Sequence, residues 1–169
     1  MALSATIASS ITATLTQDST LAITTDVVAS GSSSFPTLTQ TLTDGTGAAQ
    51  ANKWYRSYRT LAGVTSENLD LSGSLLDPFG ATLSFTGIKV IVVAVVAPDG
   101  TKSVTIGGAA SNPFIGPFSA GGTLNIPYNQ VLINPNAAGW GVTAATADIL
   151  KVYNPGASTI TYCIWIVGI

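Results

Sequence analysis

Residues 85–118 read FTGIKVIVVAVVAPDGTKSVTIGGAASNPFIGPF, and the first third of that stretch decides the fold class. Residues 88–97 are mostly Val and Ile, with Lys89 as the sole charge. Ten residues are too few to cross a bilayer. β-branched side chains lose rotamer freedom in a helix and pack well on a pleated surface, so the run reads as a core strand. Ala97-Pro98-Asp99-Gly100 reads as the turn that ends it, because Pro fixes φ at the first corner and Gly completes the reversal. A second apolar strand, residues 104–106, follows at once, which predicts a hairpin between the two.

Downstream, residues 107–118 form a loop with a Gly pair and two prolines, in which Phe114 and Phe118 pin the chain to the core. No Lys and no helical pattern follow the glycines, so this is not a phosphate-binding loop. Leu124 and Ile126 alternate with polar residues, residues 131–133 read as a strand, Asn134-Pro135-Asn136 as a turn and residues 139–143 as a short strand. Residues 148–153 and 160–167, joined by Asn154-Pro155-Gly156-Ala157, predict a second hairpin. Both faces of the last strand carry bulk, which predicts burial on both sides or an end against a neighbour. Upstream, Asp77-Pro78-Phe79-Gly80 has the residues of a tight turn. Roughly eight short strands counted from Leu69, spaced by turns and without an amphipathic helix, predict an all-β fold, a jelly roll or β-sandwich.

That domain spans residues 53–169. Residues 1–52 contain no Lys or Arg, alternate Thr with apolar residues, and include the soft linker Ser30-Gly31-Ser32-Ser33-Ser34. They read either as an extended N-terminal arm that lies on a neighbouring subunit or as edge strands of the same domain. The N-terminus lacks the basic residues and continuous apolar run of a secretory signal. Only 8% of the 169 residues are charged and 46% are hydrophobic, with net charge −2. A surface so poor in charge associates readily, and partners are expected to cover much of it. The other reading is an ordinary sandwich with a Thr-rich exterior.

Residues 53–61, KWYRSYRTL, gather three of the six basic residues and three aromatics within seven positions. Trp, Tyr and Arg bury much area while keeping polar tips, the chemistry of interface hot spots. Trp54, Tyr55, Arg56, Tyr58 and Arg59 are therefore candidates for a subunit interface, with Phe114 and Phe118 beside them. A strand lying over the core is the structural alternative. Stacking on single-stranded nucleic acid is disfavoured, because the chain as a whole is acidic.

The chain has no histidine and one cysteine, Cys163. This removes the usual general base, the usual zinc ligand, the familiar triads and any intrachain disulfide. Glu67, Asp70 and Asp77 are the closest carboxylates in sequence, but Asp77 already serves a turn and Asp70 alternates outward from two leucines. No Asp-x-Asp-x-Asp spacing suggests calcium. The expectation is a protein that is not an enzyme and takes no cofactor, metal, membrane, nucleic acid or small-molecule substrate.

Three runs, Arg59-Thr60-Leu61-Ala62, Glu67-Asn68-Leu69-Asp70-Leu71 and residues 77–85 (DPFGATLSF), resemble small structural proteins encoded among the head genes of tailed bacteriophages. So do Gly107-Gly108-Ala109-Ala110, residues 114–118 (FIGPF) and residues 145–152 (ATADILKV). The resemblance covers residues 53–169 and its motifs are structural. It implies a virion component of the jelly-roll cement or decoration type, made in the host cytoplasm and placed on the capsid surface. Its partners would be the major capsid protein and copies of itself, as trimer or dimer. A tail-fibre module in which Trp54, Tyr58 or Trp140 stacks on a sugar is the alternative, and a shell protein of a small virus is a lesser one.

Overall fold

The computed structural model describes residues 3–8, 39–96, 102–128 and 130–169. Strands make up 57% of them, and no helix occurs among them. In chain order the strands are β1 (Ala5–Ala8), β2 (Thr39–Asp44), β3 (Gln50–Ala51), β4 (Lys53–Leu61), β5 (Ser66–Asp70), β6 (Leu75–Leu76) and β7 (Thr82–Leu83). They continue with β8 (Gly87–Val95), β9 (Ser103–Gly107), β10 (Thr123–Pro127), β11 (Val131–Gly141), β12 (Ile149–Tyr153) and β13 (Ile160–Gly168).

Eight of these form the body, and their pairing is nested. The first pairs with the last (β4 with β13), the second with the seventh (β5 with β12), the third with the sixth (β8 with β11) and the fourth with the fifth (β9 with β10). All four pairings are antiparallel. Contacts of β8 with β13 and of β9 with β12 complete two four-stranded sheets, β11-β8-β13-β4 and β10-β9-β12-β5. A chain doubled back on itself and then rolled over has this strand order, which is that of a jelly roll.

Neither expected hairpin forms. β8 and β9 lie in opposite sheets, as do β12 and β13. The physical reason is that β8 already has β11 on one edge and β13 on the other, leaving no ladder for β9. The turn at residues 97–100 lies outside the described residues. The connection from β12 to β13 is instead a corner between sheets, organised by the buried Asn154. β9 pairs across the residue 108–122 loop with β10. The eight strands of the roll include β4, which precedes Leu69, where the sequence count of strands started, and forms one edge of its sheet.

The core between the sheets comprises Ile91, Val93, Val95, Tyr162, Ile164 and Ile166 from one side and Leu69, Val104, Ile106, Leu150 and Val152 from the other. Phe85 and Phe114 help close it. The turn at Asp77 forms as expected: its Oδ1 accepts the amides of Phe79 (2.9 Å) and Ala81 (2.8 Å) and joins β6 to β7. Asn134 and Pro135, expected to turn, instead continue β11, whose register shifts between Pro135 and Trp140. Pro is tolerated there because β11 is an edge strand. Lys89 explains the irregularity. Buried at a bulge of β8, it donates from Nζ to the carbonyls of Ala137 (3.1 Å) and Ala138 (2.7 Å), while Gly139, at φ +92°, leaves space for the ammonium.

β1, β2 and β3 form a third, small sheet laid on the outside of β11-β8-β13-β4. Leu42 and Ala51 are fully buried against Val90 there, with Leu3 and Ala5 beside them. The described parts of residues 1–52 thus pack as outer strands on their own domain.

Candidate functional site

The two outward faces of the roll differ. On β10-β9-β12-β5 the outward side chains include Asn125, Thr105, Lys151, Asn68 and Ser66, a hydrated surface. The outward face of β11-β8-β13-β4 is apolar and aromatic. Register places its side chains in three rows: Trp54, Val167, Val90 and Pro135; Arg56, Trp165, Val92 and Ile133; Tyr58, Cys163, Ala94 and Val131.

The rows are covered to different degrees. The small sheet roofs the first, where Val90 is buried. The second lies in an open groove of about 380 Å³ lined by Val92, Ile133, Trp165 and Trp54, with Leu3 to Thr6 forming a wall. The third is open, with Tyr58 60% and Val131 59% exposed. Arg56 is the one charge in these rows. Its guanidinium carbon lies 5.1 Å from the Trp165 ring centroid and 5.6 Å from that of Tyr58, so the cation is held by ring faces.

Alternation along β4 splits the cluster that looked continuous in sequence. Trp54, Arg56 and Tyr58 face outward, as an interface requires. Tyr55 is buried in the core and presents nothing to a partner. Arg59 also points inward, at the open side between the sheets: Nε donates to Glu67 Oε2 (2.6 Å), Nη2 pairs with the same oxygen, and Nη1 donates to the Tyr55 hydroxyl (3.1 Å). The Tyr162 hydroxyl donates to Glu67 Oε1 (2.7 Å). These four side chains tie the edge of one sheet to the edge of the other. The hydrogen bond that Arg59 donates to Glu67 raises the Arg59 pKa above its ordinary value.

Burial, followed by the bond to Glu67, pushes the Tyr162 hydroxyl well above the ordinary tyrosine range. An unfolded tyrosine ionises near pH ~10 whereas Tyr162 in the fold stays protonated, so its contribution is complete below about pH 10 and declines by up to about 1.4 kcal/mol per pH unit above it. Tyr162→Phe should remove that part of the alkaline decline, as read from unfolding midpoints measured on either side of pH ~10. An identical decline in the variant would assign the effect to other groups.

The remaining sites disperse. Glu67 serves the network above, Asp70 Oδ1 accepts from Ser72, and Asp77 holds its turn, so the three carboxylates do not converge. Phe114 is enclosed in the core and cannot reach a partner, while Phe118 is half-buried against it. Trp140 packs on the core and shares no face with Trp54 and Tyr58. Among the described residues no group of three or more His, Cys, Asp or Glu is placed to hold a metal, and no helix is long and apolar enough to cross a membrane.

Sequence reading missed Trp165, Val92, Ile133 and Val131 as parts of this face. The available signal was the bulk at Cys163, Trp165 and Val167, opposite the core-facing isoleucines of β13. Neither the family models, nor the curated proteins, nor the solved structures compared with this chain match it.

Proposed function

We propose that this chain is a virion structural protein, a cement or decoration protein that bridges major capsid subunits of a phage head. The observation that carries this reading is the open part of the outer face, its second and third rows. It is apolar, bears one guanidinium clasped by aromatic rings, and belongs to a chain with only 8% charged residues. Such a face gains free energy by being covered, and its Trp, Tyr and Arg side chains are those that dominate interface energetics. Support by analogy comes from double-sheet jelly rolls, which recur in viral capsid domains and in lectins. The work of such a protein is mechanical, adding apolar contact across joints in a shell.

A second reading, a carbohydrate-binding module of a tail fibre, is favoured by the exposed Tyr58 and Trp165 on one face, with the half-buried Trp54 beside them, where aromatic rings can stack on sugars. Fractionation of virions separates the two. A cement protein stays with DNA-free heads in a copy number matching the lattice, and the purified chain rebinds undecorated heads. Recovery only with tails, together with binding to host-surface polysaccharide, overturns the cement reading in favour of the second. If the chain is the only abundant virion protein, it is the shell itself.

A further inference from the structure

Among the described residues three polar side chains are buried: Lys89, Asn154 and Asp148. The first two are paired, Lys89 with two carbonyls and Asn154 through four hydrogen bonds. Asp148 is different. It is 4% exposed, and its Oδ1, closed to solvent, has no protein donor within hydrogen-bonding distance. A buried carboxylate oxygen left bare costs free energy, and a bound ion is one of the few reasons a fold keeps such a group.

The other oxygen of Asp148, Oδ2, accepts the Ala145 amide (2.6 Å) and lies 2.8 Å from the Ser72 hydroxyl. That hydroxyl also lies 2.9 Å from Asp70 Oδ1, which accepts the Ser72 amide at 2.8 Å. A serine carries one hydroxyl hydrogen, so it serves one carboxylate at a time and turns a lone pair to the other. No Lys or Arg offsets the two acidic groups, since the ion pair among the described residues joins Arg59 to Glu67. Two carboxylates thus meet over a single hydroxyl hydrogen without a counter-charge. A water molecule there would supply hydrogen bonds but no charge.

The donor set chooses the ion. Asp70, Ser72 and Asp148 offer only oxygens, which selects a hard cation, and two negative groups favour a divalent one. The three come from the end of β5, the loop after it and the residue before β12, without the octahedral order that magnesium demands, so calcium is the better match. Size agrees. A water oxygen stays about 2.8 Å from a carboxylate oxygen whereas calcium approaches to about 2.3–2.6 Å, so a space too tight for water is not thereby too tight for the ion. The sequence held no calcium spacing because Ser72 and Asp148 stand 76 positions apart and meet only in the fold.

We propose that Asp148, Asp70 and Ser72 form a calcium site at this end of the roll, with Asp148 Oδ1 as the ligand the fold leaves free for it. The Asp148 amide donates to the Asn112 carbonyl (3.1 Å) and its carbonyl accepts the Leu71 amide (2.8 Å), so three loops converge on this residue. Calcium fastens those loops together and stabilises that end of the sandwich. With two carboxylates as ligands, its dissociation constant falls in the weak range of about 0.1–1 mM. The proposal does not rest on the virion reading, since it concerns neither outward face.

The test is calorimetric titration and thermal unfolding of the full chain with calcium chloride, after treatment with a chelator. Titration should report one ion per chain. Calcium at about ten times its dissociation constant should raise the unfolding midpoint by roughly 3–6 °C, and magnesium at the same concentration should do much less. Asp148→Asn should abolish the calcium response. Should that variant not fold, Asp70→Asn decides, because its side chain is only partly buried and it should weaken calcium binding about tenfold or more. In chelator Asp70→Asn should melt at or above the native chain, since one of two facing charges is gone, and calcium should reverse that order. An aspartate with a purely structural role gives no reversal. A native chain that takes up no calcium and keeps its midpoint, as follows if a water or a proton completes the pair, overturns the proposal. So does a calcium response that survives in both variants. An equal rise with magnesium overturns the assignment to calcium.

Discussion

Asn154→Ala is expected to cost roughly 3–5 kcal/mol of folding stability, which is among the larger effects a single substitution produces. Asn154 is fully buried at the corner where the chain leaves one sheet for the other. Its Nδ2 donates to the carbonyls of Leu61 (3.2 Å), Ala62 (2.9 Å) and Ser158 (2.9 Å), and its Oδ1 accepts the amide of Gly156 (3.0 Å). One amide group therefore holds the end of β4, the corner itself and the approach to β13. Truncation leaves several polar groups without partners, each costing about 1–3 kcal/mol if kept from water, with the sum reduced where the exposed Ala62 and Ser158 recover solvent. Asn154→Asp should fare no better. It keeps the shape but places acceptors against carbonyl oxygens and buries a charge. Urea unfolding of both variants measures the effect. A loss below about 1 kcal/mol for the Ala variant would show that backbone bonds of the corner, such as Val64 N–H to Gly156 O, hold it unaided.

Gly168→Ala is expected to cost about 3 kcal/mol or more, for a steric reason. Gly168 lies in β13 with Lys53 of β4 on one side and Ile88 of β8 on the other. A Cβ added there would stand 2.2 Å from the Gly87 carbonyl oxygen and 2.9 Å from the Phe85 ring. Neither neighbour can withdraw easily. The Gly87 carbonyl accepts the Ile169 amide at 2.8 Å, and Phe85 is a buried core residue. Gly141→Ala is the control, because the same added carbon at the end of β11 meets nothing within 4 Å and should be nearly neutral. Equal thermal midpoints for the two variants would contradict the crowding argument.

Strand character was legible in the sequence because it is a local property. β-branched residues fill β8 and β13, and Asp77 forms its turn from its own neighbours. Strand pairing was not legible, because it depends on which edges other segments have already taken. Residues 88–97 are apolar on both faces, as suits a strand with β11 and β13 on its two edges and material above and below. Nothing within those ten residues tells this from a hairpin arm. The candidate face was half legible. Trp54, Arg56 and Tyr58 stood out by residue type, and period-two alternation separates them from Tyr55 and Arg59. The rest of the face comes from β8, β11 and β13, distant in sequence and joined to β4 only by register.

The nested pairing also governs when the fold can exist. β13 leaves the ribosome after the other seven strands of the roll, yet its place is between β8 and β4. Until it arrives, β8, the most apolar strand, has no partner on one edge, and β4 has none to pair with. The entropy of closing the long span from β4 to β13 must be lost before these contacts reward it, so folding of the roll waits until β13 has emerged. A growing chain therefore carries unpaired apolar edges with few charges to keep neighbours apart. The interval before β13 emerges is when it is most exposed to premature association.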